Sequence, residues 1–522
     1  MSRVFSLVTL AAALAILALG IWKCTCSAGD GDAFGYVSQS AMLAKGELRI
    51  EQQFQRSMPW PYAEWSFAPA GYRPAADDRG FIVPTYPPGL PLVMAAFRRV
   101  AGAGAVFFVV PLMGALCVLM TGALGRRVHS PLAGVIAALV LASSPSFLFQ
   151  LMQPLSDVPA AAWWTIALTL ALHDSAGASL ASGAAASMAI LTRPNLVPLA
   201  GAIGVFLLWQ AVRADPCARA AAVRRVVLFA AGAVPGGVAI GALQNYLYGS
   251  PLRSGYEEFS ALFAWANAAP NLKQYPRWLI ATQTPIVCLA LAAPWFPRIR
   301  RGGLPLAWVA VVFFCYLFYV PFGADDWSYL RFLLPAYPAL IVLSVASALE
   351  LIDRVTARER VRLAASIAVF ASLLAWQGRE ALHRGVFSQH EVEQRYEDVG
   401  RYVTDFTPSN AVFITGLHAG SIRYYAGRLT IRFDWVGERR LDQVVEVMRE
   451  KGYHPYIALE EGEEAGFRER FVKMSDLARL DWPPAAQRSQ PIRVRIYDPL
   501  DRARAAQGAS IRTAEIAVRR RR

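Results

Sequence analysis

Apolar residues in this chain come in blocks of about twenty, the length a helix needs to cross hydrocarbon ~30 Å thick. Eleven such blocks are predicted as membrane spans: 4–22, 104–125, 131–151, 158–173, 178–191, 195–213, 226–247, 277–297, 304–322, 330–350 and 361–377. Alternation over roughly ten residues, the mark of a β-barrel, is absent. The first two blocks are separated by a polar stretch, 23–103, read as a long outer loop. Within it, 33–47 predicts an amphipathic surface helix, with Phe34, Val37, Ala41, Leu43 and Ala44 on or near one side. The proline-rich piece 58–91 carries Trp60, Tyr62, Trp65, Tyr72 and Tyr86, aromatics that favour a membrane interface. A second outer loop, 248–276, carries Tyr256, Glu257, Glu258, Trp265 and Lys273.

Beyond 385 the pattern changes. Val392, Tyr396, Val399, Tyr402 and Phe406 recur at helical spacing. Short β-type runs follow at Ala411–Thr415, Leu429–Phe433, Tyr456–Glu460 and Arg493–Tyr497, with helical stretches at 438–451 and 461–474. Alternating strands and helices predict a small α/β domain over 385–500. The tail 501–522, basic and ending in four arginines from Arg519 to Arg522, is expected to be disordered. The expected fold is thus a polytopic α-helical membrane domain, 1–380, followed by a small α/β domain.

Composition agrees. Of 522 residues, 55% are hydrophobic and 17% charged, against about 25% charged in soluble domains. The formal charge of +14 does not call for nucleic acid, because the arginines cluster in short loops. Arg126 and Arg127, then Arg213, Arg219, Arg224 and Arg225, then Arg298, Arg300 and Arg301, then Arg354, Arg358, Arg360 and Arg362 fall on one side of the predicted spans. That bias places the N-terminus and these loops in the cytoplasm. An odd span count sends the C-terminal domain outside. The first block is read as an uncleaved span rather than a signal peptide, because the rest of the chain is itself multi-spanning. Six cysteines are scattered, with no zinc spacing; Cys24 and Cys26 are expected to lie too close together to bridge. No internal repeat, P-loop or dinucleotide fingerprint is present.

Candidate chemistry collects on the outer side. Asp30 and Asp32 follow the first span in Gly29-Asp30-Gly31-Asp32. A carboxylate there can take a proton from an acceptor or hold a divalent cation; it can equally be ordinary turn chemistry. Asp157, in Ser156-Asp157-Val158-Pro159, is a second outer acid and also a natural cap for the next helix. A cation, if one binds, would draw on Asp32 and Asp157. Arg193, in Thr192-Arg193-Pro194-Asn195, is an arginine on the outer side, against the charge bias, and its planar fork suits phosphate. Arg331 is a second phosphate candidate, although Asp325 and Asp326 could simply pair with it. Lys273 and Arg277 are weaker phosphate candidates. His418, alone among glycines, is read as structural.

These pieces, in this order, resemble the GT-C class of integral membrane glycosyltransferases. The matching elements are Gly31-Asp32-Ala33-Phe34-Gly35-Tyr36, Tyr86-Pro87-Pro88-Gly89, Ser156-Asp157-Val158-Pro159, Thr192-Arg193-Pro194 and Arg331-Phe332-Leu333-Leu334-Pro335. Gly420-Ser421-Ile422-Arg423-Tyr424-Tyr425 is also similar to bacterial members. The likeness is to the branch with protein O-mannosyltransferases, the lipid A aminoarabinose transferase and the family 39 or Rgt-like bacterial relatives. It covers roughly 1–380 well and the C-terminal part loosely. The resemblance implies a sugar donor on a polyprenyl phosphate, and a lipid, glycan or protein acceptor. It further implies a bacterial inner-membrane location with the active site and the C-terminal domain periplasmic. An acid of the first outer loop would be the base or metal ligand; Asp32 matches that position best, with Asp30 two residues before it, and Asp157 matches the second acidic position. Two other readings are a transporter or flippase, whose ionisable groups belong at mid-membrane, and a non-catalytic scaffold.

Overall fold

The computed structural model describes residues 2–77, 80–256, 259–299, 302–323, 326–356 and 358–518. Asp325, Glu257, Glu258, Arg300, Arg301 and the four terminal arginines lie outside them.

The apolar blocks fold as helices. Among the described residues, six are long and apolar enough to cross a membrane: Val4–Lys23, Ala103–Val128, Pro194–Arg213, Pro216–Tyr248, Trp327–Val355 and Glu359–His383. Two further spans arise if each bent pair counts once. Pro131–Ser143 and Pro145–Leu151 meet at 62°, and Trp265–Gln283 and Pro285–Trp295 at 102°. Each bend has a proline at its start, Pro145 or Pro285, which removes an amide donor and blocks helical backbone in the residue before it. The remaining predicted blocks are occupied by shorter helices, Asp157–Ala171, Ala176–Thr192 and Gly303–Leu317. The helical bundle of a polytopic membrane protein is therefore present, with six to eight full-length spans where eleven were expected.

Small residues set the packing. The helices Ala176–Thr192 and Pro216–Tyr248 cross where Gly183 faces Gly232; a Cβ on Gly183 would stand 2.2 Å from the Phe229 carbonyl oxygen. One turn on, Ser187 Oγ accepts from the Gly236 amide at 2.6 Å and donates to the Ala233 carbonyl at 3.1 Å. Contact of this closeness holds helices together where no hydrophobic gradient exists between them. The window of Trp327–Val355 with spanning character is wholly buried, so this helix runs through the middle of the bundle.

The loop arginines gather at one end. Arg126 donates to Ser6 (3.3 Å), Arg127 to the Leu172 carbonyl (3.2 Å), Arg225 to Asp174 (3.2 Å) and Arg298 to Asp353 (3.0 Å). The His173-Asp174 turn, which has no basic cluster of its own, thus receives basic side chains from its neighbours.

At the other end lies a layered outer structure. Strands β1 (Ile50–Glu51), β2 (Tyr72–Pro74) and β3 (Phe81–Pro84) form a small antiparallel sheet in the first loop, in the order β1-β3-β2. The helix Gly31–Lys45 was expected on the surface, yet Phe34, Tyr36, Val37 and Met42 are all buried. It is wedged between the helix Gly89–Ala101 and the helix Ala419–Ala426, with Phe34 pressed on Gly420.

Strands β4 (Ala411–Thr415), β5 (Leu429–Arg432), β6 (His454–Glu460), β7 (Ala486–Arg488), β8 (Val494–Tyr497) and β9 (Ala514–Glu515) form a mixed sheet in the order β5-β4-β6-β8-β7-β9. All five residues of β4 are buried, so both faces of the sheet are covered. Met58, Trp60, Ala63 and Phe67 of the first loop share one core with Val436, Leu441 and Val444. The tail was expected to be disordered. Instead the helix Pro499–Ala506 and β9 continue the fold, because β9 pairs with β7 and Ile516 is buried behind it.

Cys24 and Cys26 form a disulfide, Cα to Cα 5.2 Å. Their closeness in sequence argued against an easy bridge. At 5.2 Å the two Cα atoms lie within the usual bridging range, so two-residue spacing does not prevent the bond.

Candidate active site

The site is assembled from helix ends at the end of the bundle opposite the loop arginines. Asp30 stands immediately before the helix Gly31–Lys45, and its carboxylate accepts from the Gly31 amide at 2.6 Å. Asp32 lies in the first turn of that helix, where the unpaired amides favour negative charge. Tyr86 donates its hydroxyl to Asp32 Oδ1 at 2.6 Å, and Arg331 Nη1 donates to Asp32 Oδ2 at 2.9 Å.

A second acid–guanidinium pair sits beside the first. Asp157 opens the helix Asp157–Ala171 and is ion-paired with Arg193, at the end of Ala176–Thr192. The expected capping role of Asp157 is not observed: Ser156 holds the N-cap position, Asp157 is the first helical residue, and its carboxylate pairs with Arg193. Tyr316 receives hydrogen bonds from Arg193 (3.3 Å) and Asn195 (3.0 Å). Phe332 lies between the two arginines, 5.5 Å from the Arg193 guanidinium and 5.3 Å from that of Arg331. The two halves are joined through Tyr36, one turn along the helix from Asp32. Its hydroxyl donates to Ser156, the neighbour of Asp157, at 2.8 Å.

Four charged groups from four separate segments therefore converge on one end of the bundle. Two apolar blocks separate Asp32 from Asp157, two separate Asp157 from Arg193, and four separate Arg193 from Arg331.

Two features leave the cluster chemically open. Arg331 Nε is buried and has no hydrogen-bond partner among the described residues, so one donor edge is available to a ligand. Asp30 has no guanidinium partner among the described residues. Asp30 reaches solvent, yet the protein packed around its carboxyl, then the neighbouring Asp32 carboxylate, raise its pKa above the ordinary carboxylate value; the Gly31 amide and Arg395 pull the other way. The Tyr86 hydroxyl is pushed well above the usual phenol value by burial and by Asp32, which keeps it a donor.

The C-terminal sheet layer supplies the wall behind Asp30. Tyr396 packs flat on Gly29: a Cβ there would meet its ring at 2.1 Å. Tyr425 accepts from the Ala28 amide at 2.8 Å, and Tyr424 from Arg98 at 3.3 Å. Behind Tyr396, Arg395 pairs with Glu460 at 2.6 Å and His418 with Glu460 at 3.1 Å, all buried. Burial alone would raise the Glu460 pKa, but His418 and Arg395 outweigh it and hold it down at about 2.

Of the predicted residues, Asp30, Asp32, Asp157, Arg193 and Arg331 come together. Lys273 does not: it is exposed on the helix Ala268–Gln283 and shares no hydrogen bond or ion pair with the cluster. Asp326 was a possible partner for Arg331 and instead accepts from Ser328 at 2.8 Å. Tyr316, Tyr396 and Glu460 had no local signal marking them as site residues, and Phe332 lay inside the Arg331 motif with no role attached to it. Tyr36 and Tyr86 lay inside recognisable motifs but had no role attached to them.

Among the described residues, no group of three or more His, Cys, Asp and Glu side chains is placed to hold a metal ion. Asp32 and Asp157, the two acids expected as ligands, each give an oxygen to a guanidinium. That donor set does not fit a resident divalent cation, which needs several free oxygens.

Among solved structures the chain is similar to ArnT from Cupriavidus metallidurans bound to undecaprenyl phosphate. The two are 14% identical, with a TM-score of 0.58 over 93% of this chain and 97% of that one. It is also similar to the archaeal oligosaccharyltransferase AglB from Archaeoglobus fulgidus, in complex with an inhibitory peptide and a dolichol-phosphate. There the identity is 13% and the TM-score 0.58, over 91% and 72% of the two chains. This chain has the GT-C fold. A third GT-C neighbour, the mycobacterial arabinofuranosyltransferase AftD, is 15% identical with a TM-score of 0.51, covering 88% of this chain and 35% of that one. No family model matches the sequence, and no curated protein matches it significantly. The GT-C likeness is thus carried by tertiary structure at an identity too low for sequence comparison.

Proposed function

We propose that the protein transfers a sugar from a polyprenyl-phosphate donor to an acceptor hydroxyl or amide at the periplasmic face of a bacterial inner membrane. The observation that carries this reading is the convergence of the Asp32–Arg331 and Asp157–Arg193 pairs beside an unpaired Asp30, on a GT-C fold. The donor phosphate rests against the open edge of Arg331, with Arg193 alongside. Its polyprenyl tail stays in lipid.

The acceptor oxygen or nitrogen attacks the anomeric carbon, forming the new glycosidic bond. The bond from that carbon to the phosphate oxygen breaks, and the electron pair leaves on polyprenyl phosphate. Guanidinium groups stabilise the charge that builds there, in a setting where preorganised donors act strongly. The acceptor proton passes to a carboxylate. Asp32 is committed to Arg331 and Tyr86, so Asp30 is assigned as the base and Asp32 as the group that orients Arg331. Asp157 does the same for Arg193. No step needs a metal.

The charged groups sit at helix ends rather than at mid-bundle, which separates this site from a transporter pathway. The test is transfer from radiolabelled polyprenyl-phosphate sugars by purified protein in nanodiscs, with and without EDTA. Transfer by wild type, unaffected by EDTA and lost in Asp30→Asn, supports the reading. Silence with every donor in the presence of envelope acceptors, or equal transfer by both proteins, overturns it.

A further inference from the structure

The first outer loop builds a second feature away from the acids. Tyr62 holds a left-handed backbone (φ 58°, ψ 27°) with its ring 63% exposed. That conformation is costly for an aromatic residue and persists only where surrounding structure enforces it. Beside it Trp65 stacks on Trp435 of the C-terminal layer, centroids 4.6 Å apart and planes 25° from parallel. Tyr62 itself lies 6.4 Å from Trp435. Next to this cluster is a recess of about 390 Å³, lined by Gln55, Arg56, Trp60, Glu64 and Asp77 among others, within the usual size range of ligand sites.

The cluster connects to the acids. The Arg73 guanidinium lies 5.3 Å from the Trp65 ring and donates to the carbonyls of Gly255 (3.2 Å) and Tyr256 (3.1 Å). Tyr256 packs edge-on against Tyr86 at 5.9 Å, and Tyr86 bonds Asp32. A row of flat side chains thus runs from the outer platform to the candidate active site.

The chemistry selects a class of ligand. Pyranose rings offer C–H faces to aromatic faces and hydroxyl pairs to planar carboxylate, amide and guanidinium groups. The recess and platform hold both kinds of partner. Its charges are of mixed sign, which suits a hydroxyl-rich neutral chain better than a polyanion. We propose that the Tyr62–Trp65–Trp435 platform and its recess bind a saccharide chain, which serves as the acceptor and extends past Arg73 and Tyr256 toward the acids. The acceptor role rests on the sugar-transfer reading; the binding site does not.

The test uses full-length protein in nanodiscs on an array of bacterial envelope oligosaccharides, beside an array of envelope peptides. Tyr62→Asn removes the ring while keeping a residue that tolerates the left-handed backbone, so the variant keeps its fold. Wild type and Asp32→Asn are expected to retain the same glycans, and Tyr62→Asn to retain them at least ~10-fold less at an unchanged Tm. In transfer assays with a retained glycan, Tyr62→Asn is expected to raise KM at least ~10-fold with kcat held. No glycan retained, retention of peptides alone, or equal retention by Tyr62→Asn overturns the proposal. Transfer by wild type with an unchanged KM in Tyr62→Asn sinks the saccharide site and leaves the transferase reading standing. Glycan binding through Tyr62 without transfer does the reverse.

Discussion

Arg331 Nη1 lies 2.9 Å from Asp32 Oδ2, a contact between residues 299 positions apart. The bond fixes one edge of a guanidinium while its buried Nε faces no protein partner. A positive group held by one oxygen and open on another side is prepared for a ligand anion, since its orientation is settled before the ligand arrives.

Arg331→Lys keeps the charge and loses the fork. Lysine offers a point charge on a flexible stem, so the contact to Asp32 and the contact to a phosphate cannot both keep their geometry. We expect kcat/KM for sugar transfer to fall about 100-fold, the scale seen when one transition-state donor is removed, with Tm little changed. Full activity in Arg331→Lys would count against a phosphate-binding role.

The pH profile separates the two acids. Asp30 has a raised pKa and must be deprotonated to accept the acceptor's proton. Activity should therefore rise with pH through an acidic limb displaced above the ordinary carboxylate value. Asp30→Asn should abolish transfer, whereas Asp32→Asn should leave a residual rate with that limb still present. A limb that disappears in Asp32→Asn would transfer the base role to Asp32.

Glu460 links stability to pH. Its folded pKa is depressed to about 2, against an unfolded carboxylate near ~4.3. A depressed acid contributes stability above its unfolded pKa, and the contribution is lost as pH falls through the folded value. The buried group is thus worth about 3 kcal/mol at neutral pH, fading between pH ~4.3 and about 2. Glu460→Gln should lower Tm at pH 7 and flatten the acid loss in that window, read by thermal melts across pH. An unaltered acid limb would remove Glu460 from this role.

Gly29→Ala tests the wall behind Asp30. The added Cβ would meet the Tyr396 ring at 2.1 Å, so ring or loop must move. Overpacking of this kind costs about 1–3 kcal/mol, and a shift of the loop carrying Asp30 should cost roughly 100-fold in rate. Tyr396→Leu in the same chain should recover part of both losses. An active, fully stable Gly29→Ala would show that the wall does not position the loop.

The sequence by itself determined that the chain is a helical membrane bundle, because helix-length apolar blocks are a short-range property. Blocks of about twenty apolar residues are helices whatever surrounds them, and arginines in the connecting turns mark one end. It also singled out Asp30, Asp32, Asp157, Arg193 and Arg331, since charges beside apolar blocks stand out. Tertiary structure alone decided their partners. Arg331 has Asp326 five residues away in sequence and pairs instead with Asp32, because the packing of the intervening helices brings those ends together. Packing likewise made a buried wedge of the helix Gly31–Lys45, drew the tail into a sheet through β9, and set Tyr396 against Gly29. A pattern of polarity records which residues leave water, and carries no record of which distant segment they meet when they do.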